Sequence, residues 1–221
     1  MPRVAEPVRG RLIAIEGAHG LDVAEAAMLL YQTLVDREAA TGISRWDASG
    51  LFGDVVSSPA HQRNLSPRTL MLLYAADLAF RVRWEIMPAL QRSMIVVAAP
   101  YVTTPIAFGL ATGLSREWLR TLFRFAPTPA RTVVLREPKA APPWKRKPER
   151  GFAECCAALL EPTPAGFARK NTRAVMVRAL STAAEEFGGQ LRKRDLRAVA
   201  REILPPRRRP EERTPNRRPA R

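Results

Sequence analysis

Arg11-Leu-Ile-Ala-Ile-Glu-Gly-Ala-His-Gly20 is the stretch whose reading decides the fold. Its apolar run from Leu12 to Ile15 is too short for a helix and reads as a buried strand closed by a glycine-containing turn. Asp22 and Glu25, just beyond, have the spacing of a capping box and predict the start of a helix. Val23, Ala27, Leu30 and Leu34 then fall on one face at helical period. A strand that feeds a glycine turn and a helix N-terminus can hold phosphate, with backbone N–H groups and a lysine as the gripping parts.

The same alternation continues outward. A weak extended segment is expected at Gly42–Trp46. Ser66 and Pro67 read as N-cap and first residue of a helix that runs through Leu70, Leu73, Asp77 and Arg81 to about Pro88. Ser93–Ala99 reads as a strand, Ser115–Phe125 as an amphipathic helix and Arg131–Arg136 as another strand. Helices are expected at Gly151–Leu160 and Pro164–Thr172, a strand at Arg173–Ala179 and a last helix at Gln190–Leu204. Continuous apolar strands alternating with helices predict a doubly wound α/β fold, a parallel sheet covered on both faces.

The 221 residues, 46% hydrophobic, suffice for one core. No apolar run approaches the roughly 20 residues of a bilayer span, and Met1–Pro7 lacks the apolar region of a secretory signal. A cytoplasmic protein is therefore expected. Cys155 and Cys156 are adjacent, a poor geometry for bridging each other, and read as reduced thiols. His19 and His61 are the only histidines, so neither a zinc site nor any other metal site is expected.

Charge is the unusual property. Thirty-six Lys and Arg against twenty-one Asp and Glu leave +15, which suits polyanionic partners. Residues 205–221 hold seven arginines (Arg207, Arg208, Arg209, Arg213, Arg217, Arg218, Arg221), two glutamates and five prolines, with almost nothing apolar to bury. This reads as a disordered basic tail. A second cluster, Lys145, Arg146, Lys147 and Arg150, follows the proline-rich Ala140–Trp144 in a loop of about 138–150. Both are candidate contacts to nucleic acid or an acidic protein, unpatterned and so suited to phosphate rather than base readout.

Four ordered segments carry a family resemblance. Leu12–Gly20 resembles the first strand and phosphate-loop opening of the thymidylate kinases, of the form hhhhEGxDGxGKST. Ser44–Gly53 resembles their TREPGGTxxG loop, Ser66–Asp77 is similar to their DPRTExLLFAADR helix, and Val97–Phe108 resembles the strand carrying DRYxxSxxAY. The resemblance covers residues 11–204, between an N-terminal extension, 1–10, and the tail. It implies a P-loop kinase fold with a five-stranded parallel sheet, the 138–150 loop in the place of the lid, and often a homodimer packed through helices.

Departures from the pattern decide the functional expectation. Across the loop Gly17, His19, Gly20, Asp22, Val23 and Ala24, the glycines at 17 and 20 are kept, but Val23 and Ala24 stand where the family has its phosphate lysine and metal-binding hydroxyl. His19 replaces an acid. Asp22 replaces a glycine, and a like charge at ~4 Å from phosphate costs about 1 to 4 kcal/mol. The DRY motif has become Ala99-Pro100-Tyr101, and the arginine after the AAD sequence is Leu78. Arg45, Tyr74 and Tyr101 remain as a residual monophosphate or base pocket, with Tyr74 at the family's base-stacking position.

Phosphoryl transfer rests on positioning and charge neutralisation. The resemblance therefore implies a degenerate member with no catalytic residue and no cofactor. It would be a binding, scaffold or regulatory module, with a second copy or another kinase-fold protein among its expected partners. The alternative is a divergent ATP- and Mg²⁺-dependent nucleoside monophosphate kinase whose lid supplies the missing charge.

Overall fold

A computed structural model of the chain describes residues 10–18, 20–57, 65–135, 152–159, 180, 190–191 and 196–204. The predicted helix at 164–172 and strand at 173–179 lie outside these residues. So do the lid-like loop, the tail, His19 and His61.

Five parallel strands form one sheet in the order β2-β3-β1-β4-β5. They are β1 (Arg11–Glu16), β2 (Thr41–Arg45), β3 (Ile95–Ala99), β4 (Arg131–Leu135) and the two-residue β5 (Gln190–Leu191). The register is continuous across the centre, with Leu12 beside Val96, Ile13 beside Val97, and Ile15 beside Val133. The helices are α1 (Gly20–Val35), α2 (Leu51–Ser57), α3 (Pro67–Arg81), α4 (Met87–Gln91), α5 (Thr103–Ala111), α6 (Arg116–Leu122), α7 (Phe152–Leu159) and α8 (Leu196–Ile203).

Strand side chains alternate between faces, and each face has its own core. Leu12, Ala14, Val96 and Ala98 face a cluster with Leu70, Tyr74, Phe108, Leu119 and Phe152, supplied by α3, α5, α6 and α7. Ile13, Ile15, Val97 and Val133 face Val23, Leu30, Leu34, Val199 and Ile203, supplied by α1 and α8. The doubly wound parallel sheet expected from the apolar runs is present.

Three boundaries differ from expectation. Helix α1 starts at Gly20, so Asp22 lies inside its first turn instead of capping it. The helix launched by Ser66 has the expected cap, with Thr69 N–H donating to the Ser66 hydroxyl at 3.1 Å and Pro67 first. It does not stop near Pro88, however. A π-helical turn, Val82–Ile86, intervenes, and the chain continues as α4 through Pro88 to Gln91. Widening the helix before a proline relieves the ring's clash with the preceding turn. Finally, the segment read as a helix from Gln190 begins as β5, where Gln190 and Leu191 pair with Val134 and Leu135 before α8 forms.

Candidate functional site

The carboxyl ends of β1, β2 and β3 meet above the sheet, the edge where open α/β sheets place their ligands. β1 ends in Glu16, which is completely buried. Its Oε1 accepts the N–H groups of Val102 (2.9 Å) and Thr103 (2.8 Å). Its Oε2 accepts those of Tyr101 (3.2 Å) and Thr104 (3.0 Å) and the Thr104 hydroxyl (2.6 Å). One carboxylate thus closes the first turn of α5, at the end where a helix favours negative charge. Burial pushes the Glu16 carboxyl above the usual range, opposed by the Thr104 hydroxyl and then by the N–H groups of Thr103, Tyr101 and Thr104. The Thr104 oxygen in turn accepts Gly17 N–H at 3.1 Å, tying the glycine turn to α5.

Val23, at the position of the family's phosphate lysine, is 2% exposed and belongs to the core beneath α1. A Cβ added to Gly17 would meet Val23 Cγ2 at 2.9 Å and Leu135 Cβ at 3.4 Å, so glycine is required there by close packing of the chain itself. Asp22 lies in the same first turn. Ala24, half-buried, offers no polar atom beyond its backbone.

A second polar cluster joins α3 to the ends of β2 and β3. Arg81 is fully buried. Its Nε donates to Ser44 Oγ at 2.9 Å and its Nη2 to the carbonyls of Ser44 (3.0 Å) and Pro100 (3.1 Å). Its Nη1 donates to the Tyr74 hydroxyl at 3.4 Å and lies 3.9 Å from Asp77 Oδ2. Asp77 accepts Asp47 N–H, Ser49 N–H and the Ser49 hydroxyl at 2.8–3.0 Å, so it shapes the turn after β2. Asp47, at φ 59, accepts the N–H groups of Phe52 and Gly53 at the start of α2. Burial raises the Asp47 pKa, the two N–H groups lower it, and the neighbouring Asp77 and Asp54 raise it again.

Of the residues read as a residual pocket, Tyr74 and Tyr101 lie together in the core and Arg45 stands apart from them at the end of β2. Tyr74 is fully buried, its hydroxyl 3.0 Å from Pro100 O and 2.6 Å from Tyr101 O. Phe152 packs against its ring with centroids 4.5 Å apart, and Phe123 at 5.9 Å. Both its ring and its hydroxyl are engaged within the core. Tyr101 is also buried, and its hydroxyl donates to Pro127 O at 2.8 Å. For both phenols burial raises the pKa, against a smaller pull from Arg81. Arg45 is exposed at the end of β2, on the rim. Ala99, of the altered DRY motif, is buried, and its carbonyl accepts Trp46 N–H at 3.2 Å. Pro100 serves through its carbonyl, which binds Arg81 and Tyr74.

Sequence reasoning missed Glu16, Thr104, Ser44, Asp77, Arg81 and Phe152 as organising residues. Two signals were legible. Glu16 is a lone carboxylate closing an apolar strand. Asp77 and Arg81 sit on the α3 face that Leu70 and Tyr74 bury, and charges on a buried face must pair. Among the described residues, no group of three or more His, Cys, Asp or Glu is placed to hold a metal ion, and no helix is long and apolar enough to cross a membrane.

No family model matches the chain. It is 28% identical over 129 residues to a probable thymidylate kinase 2 of Saccharolobus solfataricus, covering 58% of this chain and 60% of that one. A probable thymidylate kinase of Pyrobaculum aerophilum is 32% identical over 124 residues, covering 56% and 62%. The match thus spans less than two thirds of these relatives' length. The solved thymidylate kinase of Ehrlichia chaffeensis superposes with a TM-score of 0.65 over 88% of this chain and 98% of that one, at 11% identity, a likeness of fold alone. The chain is homologous to proteins named thymidylate kinase and has the fold of one.

Proposed function

We propose that this relative of the thymidylate kinases is a non-catalytic member of the fold, a pseudokinase that works as a binding, scaffold or regulatory module. One observation carries the reading: the side chain at the position matching the family's phosphate lysine is Val23, 2% exposed and packed into the core against Gly17. An apolar side chain turned inward can neutralise no phosphate charge, and neutralisation is what phosphoryl transfer depends on.

Further features agree. Asp22, in the first turn of α1, sets negative charge at the helix end that would face a triphosphate. Ala24 supplies no ligand for Mg²⁺. At the positions of Asp22, Val23 and Ala24 the side chains are a poor fit for ATP–Mg²⁺. The core packing of Tyr74 with Phe152 supports the same conclusion for a nucleotide base. The partners we propose are macromolecular: nucleic acid or an acidic protein meeting the basic segments, and a second kinase-fold subunit as homodimer or heterodimer. The setting we propose is the cytoplasm.

The names of the relatives favour the second reading, a divergent nucleoside monophosphate kinase. Calorimetric titration of the full chain with ATP–Mg²⁺ and with dTMP, beside a coupled kinase assay, separates the two. Neither binding nor turnover is expected. Micromolar binding with turnover would establish the kinase.

A further inference from the structure

One ring of the chain is held by four others, and each of the four comes from a different part of the fold. Phe152, 1% exposed, is the first residue of α7. Around it stand Tyr74 of α3, Phe108 of α5, Trp46 from the turn after β2 and Phe52 of α2. Their centroids lie 4.5, 5.8, 5.9 and 6.1 Å from its own. The ring planes are inclined by 61° to 83°, so every contact is edge to face. The quadrupole of an aromatic ring favours that arrangement, positive edge against negative face, and an aliphatic ring of the same size has no such term.

The frame that carries the four rings is bonded together without α7. Trp46 N–H donates to Ala99 O at 3.2 Å, and Phe52 N–H to Asp47 Oδ1 at 2.7 Å. The Tyr74 hydroxyl reaches Pro100 O and Tyr101 O and accepts from Arg81 Nη1. Trp46 and Phe52 also meet each other, with centroids 5.2 Å apart. These bonds set the recess at the carboxyl ends of β2 and β3, the edge where open parallel sheets take their ligands. Trp46, half-buried, forms its outer rim.

Helix α7 is attached in a different way. Its eight residues fall short of the roughly 12 to 15 at which an isolated helix begins to hold itself in water, so packing must hold it. The packed residues are Phe152, Cys155, Cys156 and Leu159, one face of the helix. Its far end is tied by Leu65 N–H to Leu159 O at 3.1 Å. Phe152 sits at the near end, and helix ends are where fraying starts. The ring can leave the recess while Leu159 keeps its place.

We infer that the four rings form a binding recess for a planar aromatic ring and that Phe152 is its built-in occupant, so that α7 holds the site closed with a ligand from within the chain. A free aromatic compound competes with Phe152 for the recess, and its entry lifts the first turn of α7. No phosphate contact is involved, so the site stands whether or not the chain transfers phosphate.

Phenol and cyclohexanol are matched probes, a six-membered ring with one hydroxyl, planar and aromatic in the first and puckered and aliphatic in the second. Phe152→Ala vacates the recess, and an apolar space of that kind takes up free aromatic molecules. At about 100 times its Kd, phenol should lower the unfolded-to-folded ratio of this variant about 100-fold, read as a rise in melting temperature. Cyclohexanol at the same concentration should give a clearly smaller rise. Cys155 and Cys156, the only thiols of the chain, report on the wild type. Both are buried on α7, so labelling by a water-soluble disulfide reagent requires the helix to lift. Phenol should accelerate that labelling severalfold and saturably, and cyclohexanol should leave it unchanged. Phe152→Leu keeps an apolar side chain without a ring, so its thiols should respond at lower phenol concentration than those of the wild type. Phe152→Ala stabilised by neither probe, or by both equally, would show an ordinary core and overturn the proposal. So would wild-type thiols that ignore phenol or answer both probes alike, and so would a Phe152→Leu chain that needs as much phenol as the wild type. The thiol comparison stands on its own if Phe152→Ala does not fold. Turnover in the kinase assay would sink the non-catalytic reading and leave the comparison of the two probes untouched.

Discussion

The Thr104 hydroxyl lies 2.6 Å from Glu16 Oε2 while its oxygen accepts Gly17 N–H at 3.1 Å, so one side chain joins the end of β1, the glycine turn and the start of α5. Both side chains are buried. Leaving a buried donor or acceptor without its partner costs about 1 to 3 kcal/mol. Thr104→Val keeps the shape and loses the hydroxyl, and a loss of that size is expected in urea unfolding with an unchanged m value. Thr104→Ser keeps the oxygen and should lose less. Glu16→Ala strips the acceptor from four N–H groups at once and should cost about 3 to 5 kcal/mol. A Thr104→Val chain as stable as wild type would show that the hydroxyl is not the joint.

Arg81 and Tyr74 make the second joint. The guanidinium reaches Ser44, Pro100 O and the Tyr74 hydroxyl from a fully buried position. Arg81→Met removes every one of these donors and should destabilise by about 3 to 5 kcal/mol. Tyr74→Phe should cost about 1 to 2 kcal/mol. Because the pair is in contact, the double variant should fall short of the sum by about 0.5 to 3 kcal/mol. Strict additivity would mean that the 3.4 Å approach carries no energy.

Phe152 tests the aromatic core. Its ring meets Tyr74, Phe108, Trp46 and Phe52 with centroids at 4.5, 5.8, 5.9 and 6.1 Å. Phe152→Ala should cost about 3 to 5 kcal/mol, the usual range for emptying a packed aromatic site, and Phe152→Leu clearly less. Chemical denaturation measures both. A change under about 1 kcal/mol for the alanine variant would mean that α7 is not seated on this core.

The central sheet was legible because short apolar runs between turn signals have few alternatives: β1 occupies Arg11–Glu16 as read, and β4 occupies Arg131–Leu135, all the described residues of its predicted span. The Ser66-Pro67 start was legible because a capping hydroxyl and a proline are local devices. Helix α5 was not foreseen. Its start is fixed by Glu16, some 87 positions earlier in the chain, and its own first turn, Thr103-Thr-Pro-Ile106, carries no side-chain cap. The surroundings of Tyr74 were not legible for a related reason. A tyrosine on an apolar helix face can serve either a ligand or the core, and only Pro100 O, Tyr101 O and Phe152, all distant in sequence, decide between them. Buried polar networks are built from long-range pairs, and periodicity does not report them.

Restoring the missing groups should not restore the kinase. Val23→Lys with Ala24→Ser and Ala99→Asp would return a lysine, a hydroxyl and a carboxylate to the positions where the family carries them. Val23 and Ala99 are 2% and 3% exposed in one apolar cluster with Ile13, Val97 and Val133. Charges placed there lack partners and cost several kcal/mol, unless the long side chain introduced by Val23→Lys bends its stem out of the core. The variant also keeps His19 and Asp22 in the sequence that matches the family's phosphate loop. We expect the triple variant to be less stable than wild type and to show neither calorimetric binding of ATP–Mg²⁺ nor phosphate transfer to dTMP. Binding that appears in the triple variant and not in wild type would mean that the nucleotide cleft is intact behind three substitutions. On the proposed non-catalytic reading, the deficit would then lie in those three side chains and not in the core packing of Tyr74.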